Sequence, residues 1–165
     1  MAFDTFLQIE GVPGESSDEN HPEWIEILSY SHGVSQPGSG SVSSGGARSA
    51  ERSEHQDFSI VKALDKATPK LNLYCCNGTH VPEVTIELCR ATGEKQKYME
   101  YKMSDVLVSS VRPGGSSQGG ENLPLEEVTF NYGKMEWTYT ETDHKTGAAK
   151  GDIVSSWDLT LNTGE

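Results

Sequence analysis

Apolar and polar side chains alternate most clearly between Leu125 and Leu161, a stretch that reads as two β-strands joined by a polar turn. Val128, Phe130 and Tyr132 alternate with polar neighbours. Beyond Gly133 and Lys134 the apolar set resumes at Met135, Trp137 and Tyr139, one position out of phase. Strand side chains repeat every two residues, so this slip across a glycine predicts a bulge or bend that re-aims the inward face. The partner strand alternates at Ile153, Ser155, Trp157, Leu159 and Leu161, and Glu141 to Gly151 supplies the Asp, Gly and Lys of a solvated turn.

The same period recurs earlier in the chain. Phe3, Thr5, Leu7 and Ile9 alternate with Asp4, Gln8 and Glu10, with Phe6 as the exception, and the strand ends where Gly11, Pro13 and Gly14 cluster. A polar loop from Gly14 to His21 carries Glu15, Asp18 and Glu19 and is expected to be solvated. Ile25 and Ile27 face one way, and Leu28, Tyr30 and His32 follow the same way after a phase slip, giving a long bent strand. On it Glu26, Ser29 and Ser31 point away from the core. Phe58 and Ile60 begin another strand that runs to about Leu64. A helix over about 69–77 follows, with Thr68 as N-cap, Pro69 at the first position, Leu71, Tyr74 and Cys75 on one face, and Asn77-Gly78 as terminator. Val84, Ile86 and Leu88 make the next strand, with Cys89 on its other face. Met99, Tyr101 and Met103 continue through Val106 and Val108 to Val111 after a further change of phase. Arg112 to Pro124 is a Gly/Ser loop. About seven long strands and one short helix place the chain in the all-β class, as a single domain over 1–165.

Composition narrows what such a domain can do. With 165 residues there is room for one proper core, and a hydrophobic fraction of 34% is low because Gly and Ser concentrate in loops. A net charge of −12 argues against nucleic acid and anionic membrane surfaces as partners. Neither a basic leader with an apolar core nor an apolar run of about 18 residues occurs, so no signal peptide and no membrane insertion are expected. Cys75, Cys76 and Cys89 form no even framework and no CxxC pair, which fits a reducing cytoplasm.

Candidate chemistry is sparse. The five histidines, His21, His32, His55, His80 and His144, stand singly, without HxH or HExxH spacing. His21 with the neighbouring carboxylates could form a metal site, and His32 could be a packed, hydrogen-bonded histidine or a base. Gly38-Ser-Gly40 lacks the Gly-Lys-Ser/Thr ending and following helix of a phosphate loop. The Gly- and Ser-rich stretch 36–53 reads either as a surface loop or as an arm that orders against a partner. No cofactor and no catalytic group are assigned. A monomeric ligand-binding barrel and a metal-dependent enzyme built from dispersed groups remain the alternatives.

Several segments, taken in order, resemble the haemolysin-coregulated protein (Hcp) family of bacterial type VI secretion systems. They are Asp4-Thr-Phe-Leu-Gln-Ile-Glu-Gly11, Gly14-Glu-Ser16 with Asp18 and His21, Ile25-Glu-Ile27 with Ser29 to Gly33, and Leu64-Asp-Lys-Ala-Thr-Pro-Lys-Leu71. Asp105-Val-Leu-Val-Ser-Ser-Val111, Glu126-Glu-Val with Tyr132-Gly-Lys, and Gly151 with Trp157-Asp-Leu159 complete the set. The resemblance implies two β-sheets forming a barrel with one helix beside it, assembled into hexameric rings. The rings stack into a tube inside contractile sheath proteins, capped by a VgrG spike and able to carry effector proteins as cargo. It implies folding in the bacterial cytoplasm and secretion without a signal peptide. Ser31, with Ser29, is the candidate channel-facing position. Stretch 36–53 corresponds to the family's extended loop, with Gly38, Gly40, Ser41, Val42, Ser43, Gly45, Gly46 and Arg48 as candidate ring-stacking positions. Cys75 and Cys76 depart from the small apolar residues usual in the helix, and no fused toxin domain is expected after Glu165.

Overall fold

A computed structural model describes residues 3–39, 49–91, 95–117 and 123–165. Its strands begin with β1 (Phe3–Ile9), β2 (Ile25–Ile27), β3 (Ser29–Ser31), β4 (Val34–Ser35), β5 (Gly38–Ser39), β6 (Ser49–Ala50) and β7 (Glu54–His55). They continue as β8 (Phe58–Ala63), β9 (Val81–Arg90), β10 (Lys97–Gly114), β11 (Leu125–Thr142), β12 (Ala149–Asp158) and β13 (Thr163–Gly164), with helix α1 (Thr68–Asn77) between β8 and β9. The all-β class with one helix is as the alternation predicts.

β10 and β11, each 18 residues long, form the spine. β10 accompanies β11 from Leu125 to Tyr139, but the opposite side of β11 changes partner. Leu125 to Phe130 pair with β8, and Lys134 to Thr142 pair with β12. Gly133 stands at the switch, which is why the apolar phase slips there. The slip has a different cause from an inserted residue at Gly133, because the register with β10 runs through it unbroken. Opposite it, Asp105 takes φ 52°, and a Cβ on Gly133 would approach its Oδ2 at 3.2 Å. The bulge itself falls in β10, between Val108 and Ser110.

Pairing continues from β10 through β9 and β1 to β2, all antiparallel. On the other side β8 carries β3. β2 and β3 belong to one bent segment, Ile25–Ser31, whose first half pairs with β1 and whose second half pairs with β8. At the bend the Leu28 N–H donates to the Val61 carbonyl at 2.7 Å. The expected two sheets closed as a barrel are therefore one nine-stranded sheet curled on itself, with the seam bridged by a continuing chain rather than by a ladder. Leu28 does not join the inward row of Tyr30 and His32. It is 64% exposed, since changing partner at the bend turns it outward.

Leu7, Ile25, Phe58, Ile60, Val84, Ile86, Met103, Val128, Phe130 and Met135 fill the interior with no exposed area. A hollow, ligand-carrying barrel is thereby excluded at these positions. Leu71 docks α1 on this core, with Tyr74 and Cys75 half-buried beside it. Ala67, not Thr68, is the N-cap, because the Thr68 hydroxyl is engaged elsewhere: it accepts from the Asp65 N–H at 3.1 Å and donates to Glu126 Oε1 at 2.9 Å. Gly78 ends the helix in the left-handed conformation at φ 65°.

β12 departs from its expected role. Its alternation predicts a core-facing strand, yet Ile153 is 65% and Val154 52% exposed, and Leu161 beyond it is 70% exposed. The short β13 is the last strand of this branch and pairs with β12 only at Trp157 and Asp158, so the rest of β12 lies on the outside of the sheet. Trp157 is half-buried and Leu159 packs against the core, so the inward pattern holds at that end alone.

Candidate assembly surface

Three surface features are built directly by these pairings. The first is β3, where Ser29 and Ser31 lie across from Val61 and Ser59 with both serines exposed. Alternation puts the intervening Tyr30 inward, stacked on Phe58 at 5.8 Å, and so turns the two hydroxyls to the surface. The second is an arm. Val34 and Ser35 pair with His55 and Glu54, and Gly38 and Ser39 pair with Ala50 and Ser49, so stretch 36–53 leaves and re-enters the body as a hairpin stem. Gly38 is on that stem. Gly40, Ser41, Val42, Ser43, Gly45, Gly46 and Arg48 lie outside the described residues.

The arm is rooted in an aromatic basket. His32 stacks on Phe58 at 5.3 Å and meets Tyr101, Tyr132 and Trp137 at ring edges or tilted faces. The Tyr132 hydroxyl donates to the Gln56 carbonyl at 3.2 Å, with His55 Nδ1 at 3.3 Å and His32 Nδ1 at 3.5 Å. Burial lowers the pKa of both histidines, and for His32 the neighbouring His55 adds to the effect. Burial likewise pushes the Tyr132 hydroxyl up. His32 is thus the packed histidine that its aromatic setting predicts.

The third feature is β12, which carries apolar side chains on both sides. Ile153 pairs with Tyr139, itself 48% exposed, and Val154 projects from the opposite side of the strand. Side chains on both faces of an outer strand are thus left in water.

Two polar clusters lie beside these surfaces. Lys62 and Glu126 are cross-strand neighbours in the β8–β11 ladder, both wholly buried and in direct ionic contact. Lys62 Nζ also donates to Asp65 Oδ1 at 2.8 Å, which ties the start of α1 to the sheet. On the outer face of β1 and β9, His21 is buried rather than solvated. Its Nδ1 lies 2.9 Å from Asp18 Oδ1 and its Nε2 lies 2.6 Å from Glu87 Oε2. Phe6 stacks on its ring at 4.1 Å, and Trp24 meets it edge-on. The Lys95 ammonium, and after it His21, hold the Asp18 carboxyl well below the usual range. Burial, followed by the charge of Glu87, pushes the Cys89 thiol up to about 11. The loop 14–21 is therefore a clamp at Asp18 and His21, while Glu15 and Glu19 stay exposed. The signal for it lay in the alternation: Phe6 and Cys89 are apolar side chains on the outer faces of their strands, and both touch His21.

The family described as "Type VI secretion system effector, Hcp" matches residues 6–139, which run from β1 to the far part of β11. The chain belongs to the Hcp family. It is 38% identical to Protein hcp1 of Pseudomonas aeruginosa over 163 residues, covering 98% of each chain. A solved type six secretion system protein superposes with a TM-score of 0.92 at 30% identity, over 99% of this chain and 100% of that one. Hcp1 from Salmonella typhimurium superposes at 0.80 and 27% identity, again over 99% and 100%. The Hcp fold, with its sheet and single helix, is thus the fold of this chain, and type VI secretion is its setting.

Proposed function

We propose that this Hcp-family chain is a non-enzymatic building block that closes into hexameric rings. The rings stack into the secreted inner tube of a type VI system. The observation that carries the reading is β12, where Ile153 beside Tyr139 on one side and Val154 on the other stand in water on a chain with a filled core. A ring needs two different surfaces that meet head to tail and close by rotation. An outer strand with apolar side chains supplies one of them, and burying it beside a neighbour removes both the apolar exposure and the open strand edge. Ser29 and Ser31 supply short, wettable side chains for a channel wall, and a wall of that kind suits varied effector cargo. The paired stem at Val34–Ser39 and Ser49–His55 leads into the stretch that would reach the next ring. The sheath and the VgrG spike are the partners of such a tube, and export from the cytoplasm follows the type VI route.

Native mass spectrometry tests the reading. A species of six times the 18.0 kDa chain mass is expected. A population that stays at one chain mass at high concentration would overturn it.

A further inference from the structure

We infer that His21, Glu87 and Cys89 form a binding site for a borderline divalent transition metal of the zinc class, on the outer face of β9. Their ligand atoms all lie within 4.8 Å of one another. Glu87 and Cys89 are two apart on β9 and so share a face, while His21 is brought over them by the loop between β1 and β2. Zinc–nitrogen and zinc–sulfur bonds of about 2.0–2.3 Å at tetrahedral angles put donor atoms about 3.2–3.7 Å apart. His21 Nε2 is already 3.8 Å from Cys89 Sγ. It is 2.6 Å from Glu87 Oε2, so a metal entering between them must part that pair by less than 1 Å, roughly one carboxylate rotation.

Asp18 supplies what an isolated His–Glu–Cys cluster would lack. Its Oδ1 sits on His21 Nδ1 at 2.9 Å and aims Nε2 at the other two donors, the carboxylate–histidine arrangement that orients metal-bound imidazole. Lys95 Nζ donates to the other oxygen of Asp18 at 2.7 Å, and Phe6 lies flat on the ring, so the imidazole is fixed before any metal arrives. One nitrogen, one oxygen and one sulfur favour zinc, cobalt or nickel over magnesium and calcium, which require oxygen alone. The surface next to Asp18 is acidic, while Lys97 Nζ lies 3.8 Å from Glu87 Oε1. A groove of about 510 Å³ beside the clamp is walled by Asp4, Asp18, Glu19 and Glu26 against the single cation Lys95 among its described lining residues. On binding, metal–nitrogen, metal–oxygen and metal–sulfur bonds form. The Cys89 S–H proton and the proton between Nε2 and Oε2 pass to solvent, and water completes the coordination.

The test uses the full chain with Cys75→Ser and Cys76→Ser, which removes the neighbouring pair of thiols on α1. Anaerobic titration with cobalt(II) should give one equivalent with a thiolate-to-cobalt charge-transfer band. Cys89→Ser should abolish the band, and Asp18→Asn should weaken binding about 10–100-fold. A spectrum without the band, or one that survives Cys89→Ser, overturns the site. Should Cys89→Ser fail to fold, zinc must slow alkylation of Cys89 in the otherwise native chain at least tenfold, and unchanged alkylation rejects the proposal.

Discussion

Replacing Glu126 with Gln keeps the size of the side chain and removes one charge from a pair in which neither partner reaches water. Lys62 then retains Asp65, at 2.8 Å, as its one carboxylate contact. Removing one member of a buried ion pair costs about 3–5 kcal/mol, because the remaining charge keeps its desolvation penalty and loses its compensation. Asp65 offsets part of that loss, which puts the expected cost near the lower end, about 3 kcal/mol. For a chain of this size each kcal/mol lowers Tm by about 2–4 °C, so a fall of about 6–12 °C is expected. Urea unfolding at fixed protein concentration, followed by tryptophan fluorescence, gives the matching shift in midpoint while holding any assembly contribution constant. Replacing both partners, Lys62→Met with Glu126→Leu, should be milder than Glu126→Gln alone, since no wholly buried charge is left and Asp65 keeps the Ala67 N–H. A single variant within about 1 kcal/mol of the parent, or a double variant worse than the single, would refute this account of how α1 is tied to the sheet.

Ile153→Glu should leave the monomer folded and abolish the six-copy species in sedimentation velocity, because it puts a charge in the surface to be covered. Deleting Gly40 to Arg48 should preserve rings but stop tube growth seen by electron microscopy. Loss of the rings themselves would show that the arm has another role. Gly14→Ala should cost about 1–3 kcal/mol in chemical denaturation, since the added Cβ would lie 2.4 Å from the Trp24 carbonyl oxygen. His32 and His55 have pKa values lowered by folding, so the unfolded chain takes up protons first as pH falls. Their contribution to stability is complete above the ordinary value of 6.5 and is lost on descending from there towards the folded values. His32→Gln should flatten the parent's decline in Tm between about pH 7.5 and pH 5.5.

Where a side chain's role depends on its own strand, the alternation was enough to read it. Leu7, Ile9, Phe58, Ile60, Val128 and Phe130 all sit inside as their spacing predicts. Leu71, Tyr74 and Cys75 likewise face the core from one side of α1. Roles that depend on a partner were not legible. Ile153 carries the same pattern as a core residue, and it is exposed because β12 has no sheet packed over it. Thr68 has the right chemistry for an N-cap but is drawn off by Glu126, 58 positions away. His21 and Glu87 are 66 positions apart, and the β1–β9 register alone brings the latter opposite Phe6. Ser29 and Ser31 could be placed outward from spacing, while whatever they would face lies beyond a single chain.

The long accompaniment of β11 by β10, interrupted by a single register shift, also sets how the chain bears mechanical load. Ladder hydrogen bonds lie across the strands, so a pull along the ribbon strains many rungs together in shear, whereas a sideways pull would peel them one after another. An 18-residue strand spans about 60 Å, and β11 hands its flank from β8 to β12 without ending. Tension entering at β12 therefore travels down a covalent backbone to the helix end of the molecule, in the direction in which a sheet is hardest to tear.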